Sequence, residues 1–315
     1  MNTIINKIFN GCQINKEEAM NLWNMDTDEL CNAANEIRKT FCGNAFDFCS
    51  IINGKSGNCS ENCRFCAQSA SSKTNCESYP LLPGEELLKL GLYNEKKGVL
   101  RYSVVTSGKR LSKKEVEKVC QDYKYLKENS SLSLCASHGL LDLEDFKKLK
   151  DSGVTRCHNN LETSRRYFPS ICTTHTYDDK IKAIKAAREA GLEVCSGGII
   201  GMGETREDRV DMAFELRSLN IHSVPLNILN PIPGTYFGNI PPISEDEIRK
   251  TVAIFRFILP DAIIRTAGGR ILLSDGGEKL FKGGINGAIT GDMLTTSGSM
   301  IDKDKEKIRR CGFEY

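Results

Sequence analysis

Three closely spaced cysteines, Cys59, Cys63 and Cys66, form the pattern C-x-x-x-C-x-x-C. Thiolate sulfur is the usual ligand of iron–sulfur clusters, so this triplet can hold three irons of a 4Fe-4S cluster. The remaining iron would be open to a small molecule, to which it could pass an electron. A structural zinc site is the alternative, but it requires paired ligand units, and no second pair follows at zinc-like spacing. The triplet therefore predicts chemistry at a cluster.

Charge and composition exclude several classes of partner. Lysine and arginine number 43 against 41 acidic residues, a formal charge of +2, so no strong field attracts nucleic acid or an anionic membrane. No apolar stretch approaches the roughly 18 residues of a membrane span, and the first residues lack the apolar region of a signal peptide. We expect a small substrate and a cytoplasmic protein whose 14 cysteines are thiols or metal ligands rather than disulfides.

Regular alternation of apolar and amphipathic segments indicates how the chain is organised. Up to about residue 44 it reads as helical, because Asn15 and Asp26 each precede a glutamate by three residues, as capping residues do. From Phe46 onward, β-branched runs recur about every 30 residues, the length of a βα unit. The predicted strands are 46–53, 99–106, 131–136, 154–160, 192–200, 223–229, 261–267 and 285–290.

Eight such strands with helices between them predict an α/β fold, a (βα)8 TIM-type barrel, and a doubly wound sheet is the competing architecture. The length of 315 residues suits a barrel of about 250 residues with additions. We expect an N-terminal helical extension over 1–44, the barrel over 45–300 and a C-terminal tail over 301–315.

Catalysis in parallel α/β folds occurs at the carboxyl ends of strands, and three successive predicted strands carry a thiol there. These thiols are Cys135, Cys157 and Cys195. Alternation gives each only about an even chance of pointing inward, and free cysteine is common in cores. Their coincidence nevertheless predicts a second iron–sulfur cluster inside the barrel. The other cysteines are assigned to packing or the surface: Cys12, Cys31, Cys42, Cys49, Cys76, Cys120, Cys172 and Cys311.

Arg265 stands within a predicted strand, where a charge is rarely buried without an anionic partner. A cluster or a substrate carboxylate would serve, and a salt bridge with a barrel glutamate is an equal alternative. The sequence contains neither H-E-x-x-H nor G-x-S-x-G, which argues against a metallohydrolase and against acyl transfer through a serine nucleophile.

A glycine-rich turn around Gly198 follows the fifth predicted strand, and bare backbone there could approach a nucleoside closely. Asn160 and Glu162, at the end of the fourth strand, could hold ribose hydroxyls. Asn227 could satisfy a polar head group, although asparagine is also frequent in turns.

The cysteine loop followed by a βα repeat resembles the radical S-adenosylmethionine enzymes. Residues from about 45 to 300 are similar to the biotin synthase family in particular, through the segments 195–205, 225–229, 265–270 and 294–296. This resemblance implies that a 5′-deoxyadenosyl radical from S-adenosylmethionine drives sulfur insertion into dethiobiotin. It further implies a flavodoxin or ferredoxin as electron donor and a homodimer. Hydrogenase maturases and methylornithine synthases share the architecture and are the alternatives.

The same resemblance assigns roles to individual residues. The loop cysteines would hold the 4Fe-4S cluster that cleaves S-adenosylmethionine. The residues assigned to S-adenosylmethionine itself are Asn160, Glu162, Lys180 and Gly198. Those assigned to the ureido ring and carboxylate tail of dethiobiotin are Asn160, Asn227, Thr295 and Thr296.

One departure from the family concerns its auxiliary cluster, a 2Fe-2S cluster held by three cysteines and an arginine. Cys135, Cys195 and Arg265 occupy three of these positions, but Ser103 occupies the fourth. A hydroxyl is a poor substitute for a thiolate at iron. Cys157 adds a thiol on a neighbouring strand, which resembles a branch of obligate anaerobes whose auxiliary cluster has four irons and an extra sulfide. The resemblance favours Cys135, Cys157 and Cys195 as ligands with Arg265 nearby, and 2Fe-2S is the alternative.

Overall fold

Parallel strands form the centre of the molecule. The computed structural model describes residues 2–291, 293–294 and 300–315. Its strands are β1 (Asp47–Lys55), β2 (Arg101–Thr106), β3 (Ser133–Ser137), β4 (Val154–His158), β5 (Glu193–Cys195), β6 (Gly198–Ile200), β7 (Ser223–Ile228), β8 (Ile263–Thr266) and β9 (Gly287–Ile289). Every pairing between them is parallel.

The strands close into a ring. Their order is β5-β4-β3-β2-β1-β9-β8-β7-β6, and β5 also pairs with β7. Strands β5 and β6 are two halves of one predicted strand, interrupted where the Gly197 amide donates to the side chain of Asn160 over 3.0 Å. Counted in this way over the described residues, the sheet is an eight-stranded barrel, so the predicted fold is confirmed and the doubly wound alternative is excluded.

Helices cover the outside of the barrel. They are α1 (Asn2–Phe9), α2 (Lys16–Asn21), α3 (Thr27–Cys42), α4 (Gly84–Lys96), α5 (Lys113–Asn129), α6 (Leu143–Asp151), α7 (Tyr177–Glu189), α8 (Arg206–Ser218), α9 (Glu245–Ile258), α10 (Glu278–Phe281) and α11 (Ile301–Arg310). Capping boxes begin α2 at Asn15, α5 at Ser112, α7 at Thr176 and α8 at Thr205. Among the described residues, no helix combines the length and apolarity needed to cross a membrane.

Buried polar contacts hold the amino-terminal end of the barrel together. Helix α3 packs on α9, and the fully buried Arg256 of α9 reaches the loops that precede β8 and β9. Its guanidinium donates to the carbonyls of Gly284, Leu259, Pro260 and Ala262 and to Oδ1 of Asn286. One side chain thereby ties two loop segments to the helix layer.

The C-terminal helix α11 is also fixed to the barrel by a buried ion pair. Arg270, in the short 3-10 helix after β8, meets Asp304 of α11 with an N–O distance of 2.5 Å. Thr290, directly after β9, donates to the same carboxylate over 2.8 Å. Because both charges are buried, separating them would leave an uncompensated ion inside the protein.

Candidate active site

The inward-facing side chains of the strands enclose a cavity of about 420 Å³ that opens at the carboxyl ends of the strands. Alternation is visible along each strand. Arg101 and Ser103 of β2 line the cavity, as do Arg156 and His158 of β4. Since successive residues of a strand face opposite sides, the residues between them face the helices. Polar and charged groups therefore converge inside the barrel.

The loop after β1 brings Cys59, Cys63 and Cys66 to the mouth of this cavity, and all three line it. The chain leaves β1 through Gly57, whose φ of +71° suits glycine and whose Cβ, if present, would lie 2.7 Å from the Cβ of Ser78. The thiols remain partly exposed. Three adjacent sulfur donors on one loop fit a cluster with one corner left open to a ligand.

A second polar group adjoins Cys63, and the sequence did not indicate it. The ligating atoms of Cys63, Cys172 and His175 all lie within 4.8 Å of one another. His175 Nδ1 forms a hydrogen bond of 2.5 Å with Glu61, which joins two loops far apart in sequence. The hydrogen bond with Cys63 lowers the pKa of Cys172 to about 3, against the effect of burial. Cys172 and His175 therefore lie beside Cys63, as outer-shell partners lie beside metal ligands.

Two of the thiols predicted for the auxiliary cluster lie deeper in the cavity. Cys135 and Cys195 both line it and are 3% and 8% exposed. Arg101 Nη1 lies 3.6 Å from the sulfur of Cys135, and the Ser223 hydroxyl donates to the sulfur of Cys195 over 3.1 Å. Arg265 in turn donates to Ser223 over 3.1 Å. The inner end of the cavity thus combines buried sulfur with positive charge.

These surroundings act differently on the two thiols. Burial raises the pKa of the Cys135 thiol, although the charges of Arg101 and Arg156 oppose it. Burial acts in the same direction on Cys195, but a hydrogen bond with His158 and the nearby cations outweigh it, and its pKa falls to about 6. Cys195 is therefore the thiol most readily ionised at this depth, which favours metal binding.

Cys157, the third predicted ligand, does not join them. It packs in the apolar core, 2% exposed, and is not among the residues that line the cavity. Arg156 and His158 occupy the inward positions of β4, so alternation turns Cys157 towards the helices. It is near enough to Cys135 and Cys195 to interact with their charges, but burial raises the pKa of its own thiol well above the usual value. The structure brings together only two of the three predicted thiols.

Cys49, expected from the sequence to be a packing or surface residue, lines the cavity instead. It shares the inward face of β1 with Ile51 and interacts electrostatically with Arg265, Cys135 and Cys195. Burial raises the pKa of its thiol to about 12, and Arg265 opposes the shift. Cys49, Cys135 and Cys195 are called the inner thiols below.

Two buried guanidinium groups in the cavity retain unused hydrogen-bond donors. Arg265 pairs with Asp47 over 2.9 Å and Arg156 with Glu193 over 2.7 Å. Arg265 Nε and Arg156 Nη1 nevertheless have no hydrogen-bond partner among the described residues. Burying such donors without an acceptor is costly, so the cavity suits an anionic occupant. The inner thiols and these free N–H groups together fit an iron–sulfur cluster.

Asn160 and Glu162 line the cavity beyond β4, where two segments approach closely. Glu162 has a φ of +72°, and its carbonyl accepts from the Ile199 amide over 2.8 Å. Any side chain at Gly198 would bring its Cβ within 2.5 Å of the Glu162 carbonyl oxygen. Asn160 Nδ2 donates to the Glu162 carboxylate over 3.3 Å. The glycine thus permits the contact that positions both polar side chains at the cavity wall.

Asn227 lines the same cavity from β7. Its Nδ2 donates to the Gly198 carbonyl over 3.2 Å, and its Oδ1 accepts from the Gly268 amide over 2.9 Å. Lys180 lies on α7 near His175 and is not among the lining residues. Two further predicted residues, Thr295 and Thr296, lie outside the described residues.

Comparison with known proteins first defines the class. Residues 55–216 match the Radical SAM superfamily, and residues 225–314 match the Biotin and Thiamin Synthesis associated domain. The fold resembles the crystal structure of a methylornithine synthase, with a TM-score of 0.83 and 19% identity over 99% of this chain and 96% of that one. A maturase of the FeFe-hydrogenase aligns with a TM-score of 0.84 and 21% identity over 99% of this chain and 74% of that one. The chain belongs to the radical S-adenosylmethionine enzymes.

Curated relatives then define the family. A biotin synthase from Clostridium botulinum strain Langeland is 57% identical over 308 residues, 98% of this chain and 97% of that protein. Biotin synthases from Brachyspira hyodysenteriae and Akkermansia muciniphila are 56% and 52% identical, over 98% and 99% of this chain and 92% and 97% of theirs. The chain belongs to the biotin synthase family, whereas the two solved structures share only its fold.

Proposed function

We propose that this protein inserts sulfur into dethiobiotin to form biotin, with S-adenosylmethionine and two iron–sulfur clusters as cofactors. The observation that carries the proposal is one cavity with two sets of thiols, three on the loop at its mouth and three at its inner end. The biotin synthases that are 52–57% identical over nearly the whole chain support the same reaction.

The two sets of thiols would hold two different clusters. Cys59, Cys63 and Cys66 would hold the 4Fe-4S cluster, and the inner thiols would hold the auxiliary cluster. When bound, the first supplies the electron that cleaves S-adenosylmethionine, and the second supplies the sulfur. The chain itself binds and orients both reactants and excludes water, since the inner thiols are each less than a tenth exposed.

Asn160 and Glu162 support a nucleoside site next to the loop cysteines. The Glu162 carboxylate can accept hydrogen bonds from two ribose hydroxyls, and Asn160 is held in place by the Gly197 amide. Gly198 lets this segment pack closely enough to form the wall. Lys180, on α7 outside the cavity lining, is proposed to compensate the methionine carboxylate by its charge.

The side chain of Asn227 supports recognition of the ureido ring. Each end of its amide already makes one contact with backbone, yet Oδ1 keeps a lone pair and Nδ2 keeps a second hydrogen. A cyclic urea offers the complementary carbonyl and N–H groups, and Asn160 can add a further contact. By likeness to the family, Thr295 and Thr296 would bind the carboxylate tail.

The electron donor, the oligomeric state and the cellular compartment are proposed from the same resemblance. A flavodoxin or ferredoxin would donate the electron, and the working form would be a homodimer. The reducing cytoplasm suits the chain, since all 14 cysteines are free thiols.

An anaerobic assay tests the proposed reaction. The reconstituted protein is incubated with dithionite, S-adenosylmethionine and dethiobiotin, and mass spectrometry follows biotin and 5′-deoxyadenosine. We expect both products from the wild type and neither from Cys63→Ala. Release of 5′-deoxyadenosine without biotin would indicate another radical reaction, and intact S-adenosylmethionine would indicate an electron carrier. Either of these results overturns the proposal.

A further inference from the structure

The position of Cys49 on β1 brings a third thiol to the inner end of the cavity. Cys49 is 7% exposed and lines the cavity together with Ile51, two residues further along the same face. Its backbone partner on β2 is Arg101, whose guanidinium contacts the sulfur of Cys135 at 3.6 Å. Cys49 and Cys135 therefore approach the same cation from different strands.

A single buried guanidinium connects all the inner thiols. Arg265 is 1% exposed, and its electrostatic neighbours include Cys49, Cys135 and Cys195. The thiols of each pair are also near enough to influence each other electrostatically. Arg265 keeps its Nε–H without a partner among the described residues. Three sulfur ligands and a spare donor at the inner end of one cavity form a site for an anionic metal cluster.

The two competing candidates for the third ligand are each unsuitable for a different reason. Ser103 lines the cavity, but its hydroxyl is a weak ligand for iron–sulfur clusters. Cys157 has the right chemistry but packs among apolar side chains on the outward face of β4. Arg265, by contrast, acts on the charge of Cys49.

We propose that Cys49, Cys135 and Cys195 are the thiolate ligands of the auxiliary cluster, and that Cys49 replaces the thiol missing at Ser103. Ser103 is paired with Ile51 across the sheet, so Cys49 lies on the adjacent strand, one inward position deeper. Cys157 is a packing residue. The inference rests on the proposed function, since it assumes that a second cluster is present.

Iron counting on two matched variants tests the assignment. Full-length wild type, Cys49→Ala and Cys157→Ala are reconstituted anaerobically, and iron and sulfide per chain are measured with Mössbauer spectra. We expect Cys49→Ala to fall to the content of a single cube, about four irons, and to lose the auxiliary component of the spectrum. Cys157→Ala should keep the wild-type content. Unchanged iron in Cys49→Ala, or loss of iron in Cys157→Ala, overturns the proposal.

A third variant separates ligand loss from misfolding. In the double variant Cys49→Ser with Ser103→Cys, the thiol moves to the neighbouring strand where the family usually has it. We expect the iron content to recover relative to Cys49→Ala, with an altered spectrum. Failure to recover, in a protein whose apo form unfolds at the wild-type temperature, counts against the assignment.

The outcome is distinguishable from failure of the proposed function. Cleavage of S-adenosylmethionine without substrate depends on the mouth of the cavity and should be the same in Cys157→Ala as in the wild type. If the wild type holds two clusters but forms no biotin, the proposed function fails and the ligand assignment stands. If the wild type forms biotin and Cys49→Ala keeps its iron, the assignment fails and the function stands.

Discussion

Two buried arginines, Arg256 beneath the amino-terminal end of the barrel and Arg265 in the cavity wall, have different kinds of partner. At the amino-terminal end, Arg256 is surrounded by neutral acceptors, with Nη1 at 2.7 Å from the Ala262 carbonyl and Nη2 at 2.8 Å from Asn286. At the cavity, Arg265 faces Asp47 and the inner thiols, and its Nε has no partner among the described residues. Burial lowers the pKa of Arg256 to about 10. Burial acts on Arg265 in the same direction, but Asp47 and the thiols raise its pKa above the ordinary value.

This difference separates a structural charge from a binding charge. Arg256 uses its donors to satisfy carbonyls that would otherwise be buried without partners, so its role is complete within the chain. Arg265 is held where anions gather and keeps a donor unused. Changes near Arg256 should therefore lower stability, and changes around the cavity should lower cluster content and activity.

The largest effect is expected at the mouth of the cavity. Cys63→Ala leaves two loop thiols, which cannot hold the cube, so release of 5′-deoxyadenosine should fall below detection. The free energy of unfolding of the apoprotein should change by less than about 1 kcal/mol, because Cys63 is partly exposed. Anaerobic turnover and urea denaturation measure the two quantities.

Cys76→Ala is the matched control for this change, since Cys76 is also a partly exposed thiol of the segment after β1 and does not line the cavity. It should keep wild-type turnover. Measurable cleavage by Cys63→Ala would contradict the assignment of the loop cysteines.

At Arg256, by contrast, we expect a loss of stability without a loss of activity. Arg256→Met removes the donor for several buried carbonyls and should lower the free energy of unfolding by about 3–5 kcal/mol. Urea denaturation of the reduced apoprotein gives the value. Cleavage of S-adenosylmethionine per folded molecule should stay unchanged.

Arg165→Met provides the control on stability. Arg165 forms an exposed ion pair with Asp178, and such pairs contribute about 0–1 kcal/mol. If Arg256→Met proves as stable as Arg165→Met, the distinction between a structural Arg256 and a binding Arg265 is wrong.

Much of this arrangement could be predicted because its signals are local. The loop cysteines lie close together between residues 59 and 66, so their spacing alone predicted that they share one site, and all three line the cavity mouth. The positions of the strands followed from β-branched runs, and the helix starts at Asn15 and Ser112 followed from capping residues three positions before a glutamate. None of these features depends on how distant segments pack.

The identity of the inner thiols could not be predicted, because it depends on which face of each strand enters the barrel. Polar and charged side chains line the cavity of this barrel, so Arg156 and His158 point inward while Cys157 packs on the helices. The usual rule that apolar residues face the core would exchange the inward and outward positions of β4. The contact of Cys63 with Cys172 likewise joins loops that have no relation in sequence.

Substitution of Arg265 should have an effect of intermediate size on biotin formation. Arg265→Met removes a charge surrounded by thiols and should lower biotin formation roughly 30- to 100-fold, equivalent to about 2–3 kcal/mol for hydrogen bonds to a charged group. Arg265→Lys keeps the charge without the planar fork and should recover part of the loss. Turnover and iron content, measured together, show whether the auxiliary cluster is lost.

Stability provides the comparison with Arg256. The partner of Arg265, Asp47, is 23% exposed and can be solvated after the substitution, so the apoprotein of Arg265→Met should lose less stability than that of Arg256→Met, about 1–2 kcal/mol. A loss as large as that of Arg256→Met, with cluster content unchanged, would show that Arg265 is structural after all.

The smallest effect is expected from Asn227, which adds no charge to the cavity. Asn227→Ala removes the amide proposed to bind the ureido ring and should raise the KM for dethiobiotin about tenfold, as for one or two neutral hydrogen bonds. Uncoupled cleavage of S-adenosylmethionine should be unaffected, since the loop cysteines are untouched. Asn129→Ala, at the exposed end of α5, is the control. An unchanged KM would show that other residues recognise the ring. Asn227 would then serve only to link Gly198 and Gly268.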